Sequence, residues 1–496
     1  MSALNKTFLS NVAIVSFGPI FASVLGFFAE PWIARYWDPR IWGIGSYYNS
    51  IINAVSVLLF LRYNFAIVQA KDKDEAHNIL ALCLVLFIVL LLILVPLYDI
   101  LVRSGSNDFP FAKYKALIFL SSAFAALSVL FRFWYSGQKK FIVISASMMI
   151  MSLSNTILLL VFGALGKVSE ANMINIRVFS TSLVGVSLML PYLFKEFRET
   201  IKVVSLKRII EVAKRHYRYP LYEFWGFAAG TIAFSLPVIL VTKYWGQEMN
   251  GLYSKSYNLL YMMVILVGNS VNRVLHKEVA DILNSKGDAA ELLRQTCMGI
   301  LKFTLLPTLF LVLLGPEFFT ILLGQRWELS GVFAQYLSIW TLAILVSTAF
   351  SPLFGLYNKQ KQSSVFAVLS LIIMAAILVF MGRRQTDIVL TMAVFATVNF
   401  LVLMLKSAYI LNVAKVQMSR LYKAAAQLVL QMIPFALVMI ILKQFVKLGP
   451  LSLLAFGGVL SMPYLYLFYI RKSAMLNIAT GIVSRKLNDR KSNKVK

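Results

Sequence analysis

The sequence predicts an all-α integral membrane protein with about fourteen transmembrane helices, and three observations carry that reading. Fourteen apolar stretches, each long enough to cross a bilayer, follow one another through 496 residues with little soluble sequence between them. Hydrophobic residues make up 59% of the chain and charged residues 14%, far from the soluble average. Lys and Arg are also distributed unevenly between alternate loops. A spanning helix needs about 20 mostly apolar residues, and only helices or closed barrels satisfy their backbone in lipid. Residues 79–96 (ILALCLVLFIVLLLILVP) are too long and continuous for a barrel strand.

The helices are expected near 8–35, 41–67, 77–101, 114–137, 141–163, 171–194, 220–242, 248–273, 293–322, 329–357, 363–382, 386–411, 421–445 and 450–470. The first contains Pro19 and Glu30 within a full span and has only Lys6 before it, so it reads as a retained helix and not a cleaved signal. The second is opened by Gly43, and the third restarts after the charged turn KDKDEAHNIL. The fourth ends in SGQKKF and the tenth in YNKQKQ, both short basic turns. Only short loops divide 141–194 and 363–411 into helix pairs. The seventh follows the basic loop KEFRETIKVVSLKRIIEVAKRHYR, the eighth follows KYWGQEMNG, and the ninth follows HKEVADILNSKGDAAELL.

With the N-terminus inside, the inner segments carry 32 of the 48 Lys and Arg and the outer loops carry 12. This is the positive-inside pattern, and an even helix number places both termini in the cytoplasm. The net charge of +27 is therefore explained by topology and attraction to anionic lipid. Nucleic-acid binding is set aside because the charge flanks membrane spans and does not gather on one soluble face. Cys83 and Cys297 fall inside predicted helices, so no disulfide framework is expected.

The chain repeats itself. Arg35-Tyr36-Trp37 closes the first helix and Lys243-Tyr244-Trp245 closes the seventh, 208 residues later, with Gly43 and Gly251 following at the same spacing. Two parallel six-helix repeats plus two additional helices account for this, an arrangement typical of alternating-access transporters. The corresponding domains are 1–205, 206–415 and 416–496, the last comprising two helices and a basic cytoplasmic tail.

Residues 60–67 (FLRYNFAI) followed by KDKDEAHNILAL resemble the second-to-third-helix junction of polysaccharide flippases, which typically read LRYE-A-I before a short charged turn. The run RYPLY at 218–222, and SLPVILVTKYWGQEMNGLYSKSYNLL after it, resemble the seventh- and eighth-helix patterns of the same family. Asn64 stands where that family often has Glu, so a charge carried there in relatives is missing. The chain thus resembles Wzx-type O-antigen or capsule flippases of the multidrug/oligosaccharidyl-lipid/polysaccharide exporter superfamily. The resemblance implies a V-shaped bundle of two six-helix lobes around a central cavity, in the bacterial inner membrane. It implies as cargo an undecaprenyl-pyrophosphate-linked oligosaccharide moved from the cytoplasmic to the periplasmic leaflet, with a polysaccharide polymerase and a chain-length regulator as further partners.

A pyrophosphate headgroup cannot cross hydrocarbon without partners for its charge, so intramembrane ionisable residues are the site candidates. Lys302 and Lys255 rank first, since Lys302 lies about 14 Å inside its span at 1.5 Å per residue. Arg62 and Arg273 follow as matching inner positions of the two repeats, although for each alone snorkelling to the interface is the favoured explanation. Arg177 completes the set, and Arg132 near an inner helix end is assigned to snorkelling. Ser16, Pro19, Ser23, Gly26 and Glu30 recur at intervals of 3 or 4 on one face of the first helix, with Pro19 a candidate hinge. That stripe is either a cavity wall or a small-residue packing seam. The seventh helix repeats it with Glu223, Gly226, Gly230 and Pro237. Glu30 and Glu223 are the coupling-ion candidates, because a carboxylate in low dielectric can titrate near neutrality. Tyr253, Tyr257 and Tyr261 share a helix face and are candidates for sugar stacking or for packing.

No cofactor, metal or catalytic residue is expected. His77, His216 and His276 lack metal-ligand spacing, no P-loop is present, and the outer loops are too short for a membrane glycosyltransferase. A drug/cation antiporter of the same superfamily and a scaffold for polysaccharide-synthesis enzymes remain as alternative functions.

Overall fold

A computed structural model describes residues 3–104, 114–446 and 449–465, with side chains from residue 17 onward and without those of 98–104 and 465. The side chain of Ser16 and the basic tail lie outside the described residues. Every regular element among the described residues is helical. In chain order these are α1 Ala3–Tyr36, α2 Pro39–Leu58, α3 Lys73–Ser104, α4 Lys115–Gly137, α5 Phe141–Ala164, α6 Glu170–Lys195, α7 Phe197–Val203, α8 Leu206–Arg215 and α9 Phe224–Met263. They continue as α10 Asn269–Asn284, α11 Ala290–Leu323, α12 Glu328–Phe350, α13 Leu353–Leu356, α14 Gln360–Arg383, α15 Ile388–Val413, α16 Met418–Ile441 and α17 Pro450–Leu465.

Eleven helical segments among the described residues are long and apolar enough to span a membrane, or twelve when one bent pair is counted as a span. The expected count of fourteen differs for identifiable physical reasons. The second predicted helix stops at Leu58 and resumes as a 3-10 segment, Tyr63–Gln69, bent by 63°. The bend is made by Leu61 (φ 44°) and Arg62 (φ 70°), both left-handed without being glycine. The seventh and eighth predicted helices are both present, divided at Gly246 (φ 89°, ψ 176°) as expected, but they follow each other so closely within Tyr219–Asn284 that they count as one apolar segment. A left-handed φ there is open to glycine at little cost. The last predicted helix is described only to Leu465, as a shorter apolar helix. α1 runs as one helix through both Pro19 and Pro31.

The 195–218 loop is also more ordered than the sequence suggests. It forms α7 and α8, each docked on the start of α3: His77 Nδ1 lies 2.8 Å from Thr200 Oγ1, and Arg215 pairs with Glu75 at 2.8 Å.

The chain divides into two compact units, Met1–Lys255 with Ala367–Thr386, and Ser256–Phe366 with Asp387–Lys496. The first unit packs around Leu59, Phe60, Leu80, Leu130, Trp134 and Tyr192. Within it the two aromatic dipeptides of the repeat sit in like surroundings. Tyr36 covers Gly163 of α5 and Trp37 Nε1 donates to Leu159 O at 2.9 Å. Tyr244 covers Gly382 of α14 and Trp245 Nε1 donates to Thr386 O at 2.9 Å. The matched glycines meet directly: a Cβ on Gly43 would collide with Gln247 O, and one on Gly251 with Pro39 O. Glycine is required at both because backbone crosses backbone there, as in other close membrane helix contacts.

The second unit packs around Val264, Leu293, Val346, Phe350, Phe354 and Ile410. Met432, Phe435, Met439 and Leu453 fix α16 and α17 to α11 through Leu306 and Leu314. Beside that contact Leu314 departs from helical geometry (φ −121°, ψ 20°), and Lys443 Nζ bridges the break to Leu313 O (3.1 Å) and Glu317 (2.7 Å).

Candidate functional site

In the first unit, five helices bring polar and ionisable groups together about one to three turns from their ends or breaks. Glu30 comes from the end of α1, Trp42 from the start of α2, Asn155 from α5, Arg177 from the first half of α6 and Lys255 from α9 beyond its Gly246 break. The close crossing at Gly43 and Gly251 sets this geometry, because it draws α2 and α9 near enough for residues one or a few positions away to touch.

Lys255 is fully buried, and its Nζ lies 2.6 Å from Glu30 Oε2 and 3.3 Å from the centre of the Trp42 ring. The guanidinium of Arg177 lies 5.4 Å from the same ring, and its Nη1 donates to Asn155 Oδ1 at 3.0 Å. Trp42 therefore serves as a π-face for both cations, an arrangement favourable once water is excluded. The electrostatics are unbalanced: Lys255 and Arg177 repel each other, and Glu30 attracts both. Two buried cations against one carboxylate leave a net positive site.

Polar atoms around it are also left over. Arg177 Nε and Trp42 Nε1 are buried donors without a hydrogen-bond partner, and Asn250 Oδ1 is an acceptor without one. The amide of Asn250 donates to Gly43 O (2.8 Å) and Ser46 Oγ (2.9 Å), tying the crossing to the cluster. Buried donors normally find acceptors, so this site is suited to an acceptor-rich anion. Arginine offers a planar fork for phosphate and lysine a point charge.

A second cation of this unit stands at the other end of α2. Arg62 is held between the rings of Phe65 (4.3 Å) and Phe227 (3.9 Å), within electrostatic reach of Glu223. Its Nε is buried without a hydrogen-bond partner. Glu223 itself is exposed, on a π-helical turn, Tyr219–Glu223. A cavity of about 480 Å³ is lined by Asn53 of α2 and by Gly226, Phe227, Gly230, Thr231 and Ser235 of α9. Gly226 and Gly230 present bare backbone to open space. In the first-helix stripe, Gly26 likewise faces open space, whereas neighbouring Gly18 packs on Ser145 of α5.

The remaining candidates lie elsewhere. Lys302 is half-buried in α11, about 18 Å from the helix start at 1.5 Å per residue, with no ion pair among the described residues. Arg273 is exposed on α10 and its Nε donates to Asn269 O at 3.2 Å. Tyr253 is buried in the first unit. Tyr257 stacks between Tyr261 (5.4 Å) and Trp340 (5.3 Å) in the second. Sequence reasoning missed Trp42, Asn155 and Asn250. Trp42 and Asn250 each directly precede a glycine of the repeat, and Asn155 is a lone amide inside an apolar span; those were the available signals.

Comparison with known proteins adds family and fold. The polysaccharide biosynthesis protein family matches residues 32–332. No curated protein matches the sequence. Among solved structures, the lipid II flippase MurJ in an inward closed conformation superposes with a TM-score of 0.68 at 13% identity, covering 92% of this chain and 98% of that one. An inward-facing multidrug resistance MATE family transporter of the MOP superfamily gives 0.57 at 14% identity, covering 81% and 98%. A MOP superfamily transporter from Pyrococcus furiosus gives 0.50 at 14% identity, covering 81% and 95%. At these identities the likeness is one of fold.

Proposed function

The chain belongs to the polysaccharide biosynthesis protein family and is a multi-pass membrane protein with the fold of MOP superfamily transporters, and from that premise we propose that it is a flippase for lipid-linked oligosaccharide. Its cargo is an undecaprenyl-pyrophosphate-linked O-antigen or capsule repeat unit, moved from the cytoplasmic to the periplasmic leaflet of the bacterial inner membrane by alternating access, with both termini cytoplasmic. The single observation that carries this reading is the buried cationic cluster of Lys255 and Arg177 on Trp42, opposed by Glu30 alone.

A diphosphate moving through hydrocarbon needs such partners, since uncompensated burial of its charge costs many kcal/mol. Arg62 serves as the receiving station and the Lys255–Arg177 pair as the delivering one, with Lys302 and Arg273 as further cationic contacts. Glu30 is the coupling carboxylate: ionised it holds Lys255, protonated it releases Lys255 for cargo. Such a switch moves the conformational equilibrium because the two states bind the proton differently. Glu223 serves as its cytoplasmic counterpart. The like surroundings of Tyr36-Trp37 and Tyr244-Trp245 support a division into repeats at 1–205 and 206–415, with 416–496 appended. The excess of cations disfavours a drug/cation antiporter, whose cargo would be repelled. The test is reconstitution with fluorescent lipid-linked oligosaccharide and no ATP. Headgroup translocation supports a flippase, and its absence in an intact, oriented preparation rejects it in favour of a scaffold.

A further inference from the structure

The segment between α6 and α9 carries eight basic and three acidic side chains over residues 195–218. One face of α8 is already occupied: Val212 is buried against the core beside Ile209 and Ala213, and Arg208 pairs with Asp74 at 3.3 Å. Arg215 is likewise committed to Glu75, whose carboxylate raises the guanidinium above its ordinary value. Another face has no such partner. Leu206 and Ile210, one helical turn apart on the same side, are 73% and 48% exposed, and Ile201 of α7 is 61% exposed. Lys207 and Lys214 both flank that stripe on one side, exposed and without ion pairs among the described residues.

Covalent continuity says what lies beside this face. α6 is a spanning helix that ends at Lys195, and the next spanning run begins at Tyr219. Both ends of the segment are thereby held at the same membrane surface. A short helix with an apolar stripe bordered by lysines, restrained there, matches the composition of interfacial helices that lie in the headgroup plane. We infer that α8, with the end of α7, is a docking surface for anionic phospholipid: Leu206, Ile210 and Ile201 enter the acyl boundary, and Lys207 and Lys214 pair with headgroup phosphates. The opposite face is clamped to Asp74 and Glu75 of α3. This surface is separate from the cationic cluster, and its contact with lipid is the same whatever cargo the protein moves.

The test uses the full chain in nanodiscs of phosphatidylcholine alone or of phosphatidylcholine with phosphatidylglycerol, with hydrogen exchange followed over 206–215. Slower exchange is expected in the anionic discs, and the difference should shrink as salt rises. Lys207→Gln and Lys214→Gln should each remove about fivefold of the added protection. Leu206→Ser with Ile210→Ser should abolish the lipid dependence while α3 amides keep their protection, which confirms that the variant is folded. Equal exchange of α8 in both discs overturns the inference. So does protection that rises with protein concentration irrespective of lipid, which would assign the face to a second copy.

Discussion

Glu30→Gln tests the buried cluster at its one carboxylate. Glu30 Oε2 lies 2.6 Å from Lys255 Nζ, and the two side chains are 15% and 0% exposed. Glutamine keeps the shape and an acceptor but leaves Lys255 and Arg177 facing each other without a counter-charge. Breaking a buried pair from one side costs about 3–5 kcal/mol, and the partial exposure of Glu30 places this case near the lower end, about 3 kcal/mol. The double variant Glu30→Gln/Lys255→Met removes the orphaned charge and should recover most of that loss, because apolar replacement of a buried pair is close to neutral. Denaturant titration in lipid–detergent micelles measures both. The same single variant mimics protonated Glu30, so it should flatten the pH profile of transport in proteoliposomes. A Glu30→Gln protein within about 0.5 kcal/mol of wild type, a range typical of uninvolved surface changes, would refute the reasoning, and so would an unchanged pH profile.

Gly43→Ala and Gly251→Ala each drive a Cβ into a backbone carbonyl oxygen; overpacking of this kind costs about 1–3 kcal/mol or more, and each should lower thermal stability measured on purified protein more than Gly26→Ala, where space is open. Arg62→Lys keeps charge but loses the guanidinium's contact with the rings of Phe65 and Phe227, so export should fall while membrane insertion, followed by a fused reporter, is retained. Outside the spans, burial alone would raise the Glu196 carboxyl, but donation from Lys140, Gln138 and Trp134 outweighs it and holds the group below the usual carboxylate range. Its stabilisation is therefore complete above the unfolded value near about 4.3 and disappears as pH falls through the lower folded value. Exchange at 196–203 should accelerate in that acid window, and Glu196→Gln should abolish the acid-dependent step.

Much of the fold was legible because membrane spans write themselves as long apolar runs. The break inside the second predicted helix was not. Arg62 adopts a left-handed φ without being glycine, its guanidinium lying over neighbouring Phe65 and over Phe227 far along the chain, and no local pattern announces that. Gly246 gave a better signal as a glycine between two apolar runs, although the helix resumes on both sides of it. The 195–218 segment read as a basic loop because its charge obscured a short amphipathic helix whose apolar residues face two ways. For the cluster, the sequence supplied Glu30, Lys255 and Arg177 as separate intramembrane charges. Their meeting depends on the crossing of Gly43 with Gly251, which the repeat marked as a pair without marking it as a contact. Trp42 stayed hidden because a tryptophan near a helix end is ordinarily an interfacial anchor, and its role as a π-face follows only from what lies above it.

Charge reversal at Lys255 tests the central claim most directly. Proteoliposomes holding wild-type protein, Lys255→Glu, or Lys255→Glu with Glu30→Lys are supplied with fluorescent lipid-linked oligosaccharide, and headgroup translocation is followed by quenching from outside. The account predicts translocation without ATP by wild type, its loss in Lys255→Glu, and partial return in the swapped pair, which restores the ion pair and the net positive cluster. Full translocation by Lys255→Glu would contradict a cationic path for the diphosphate.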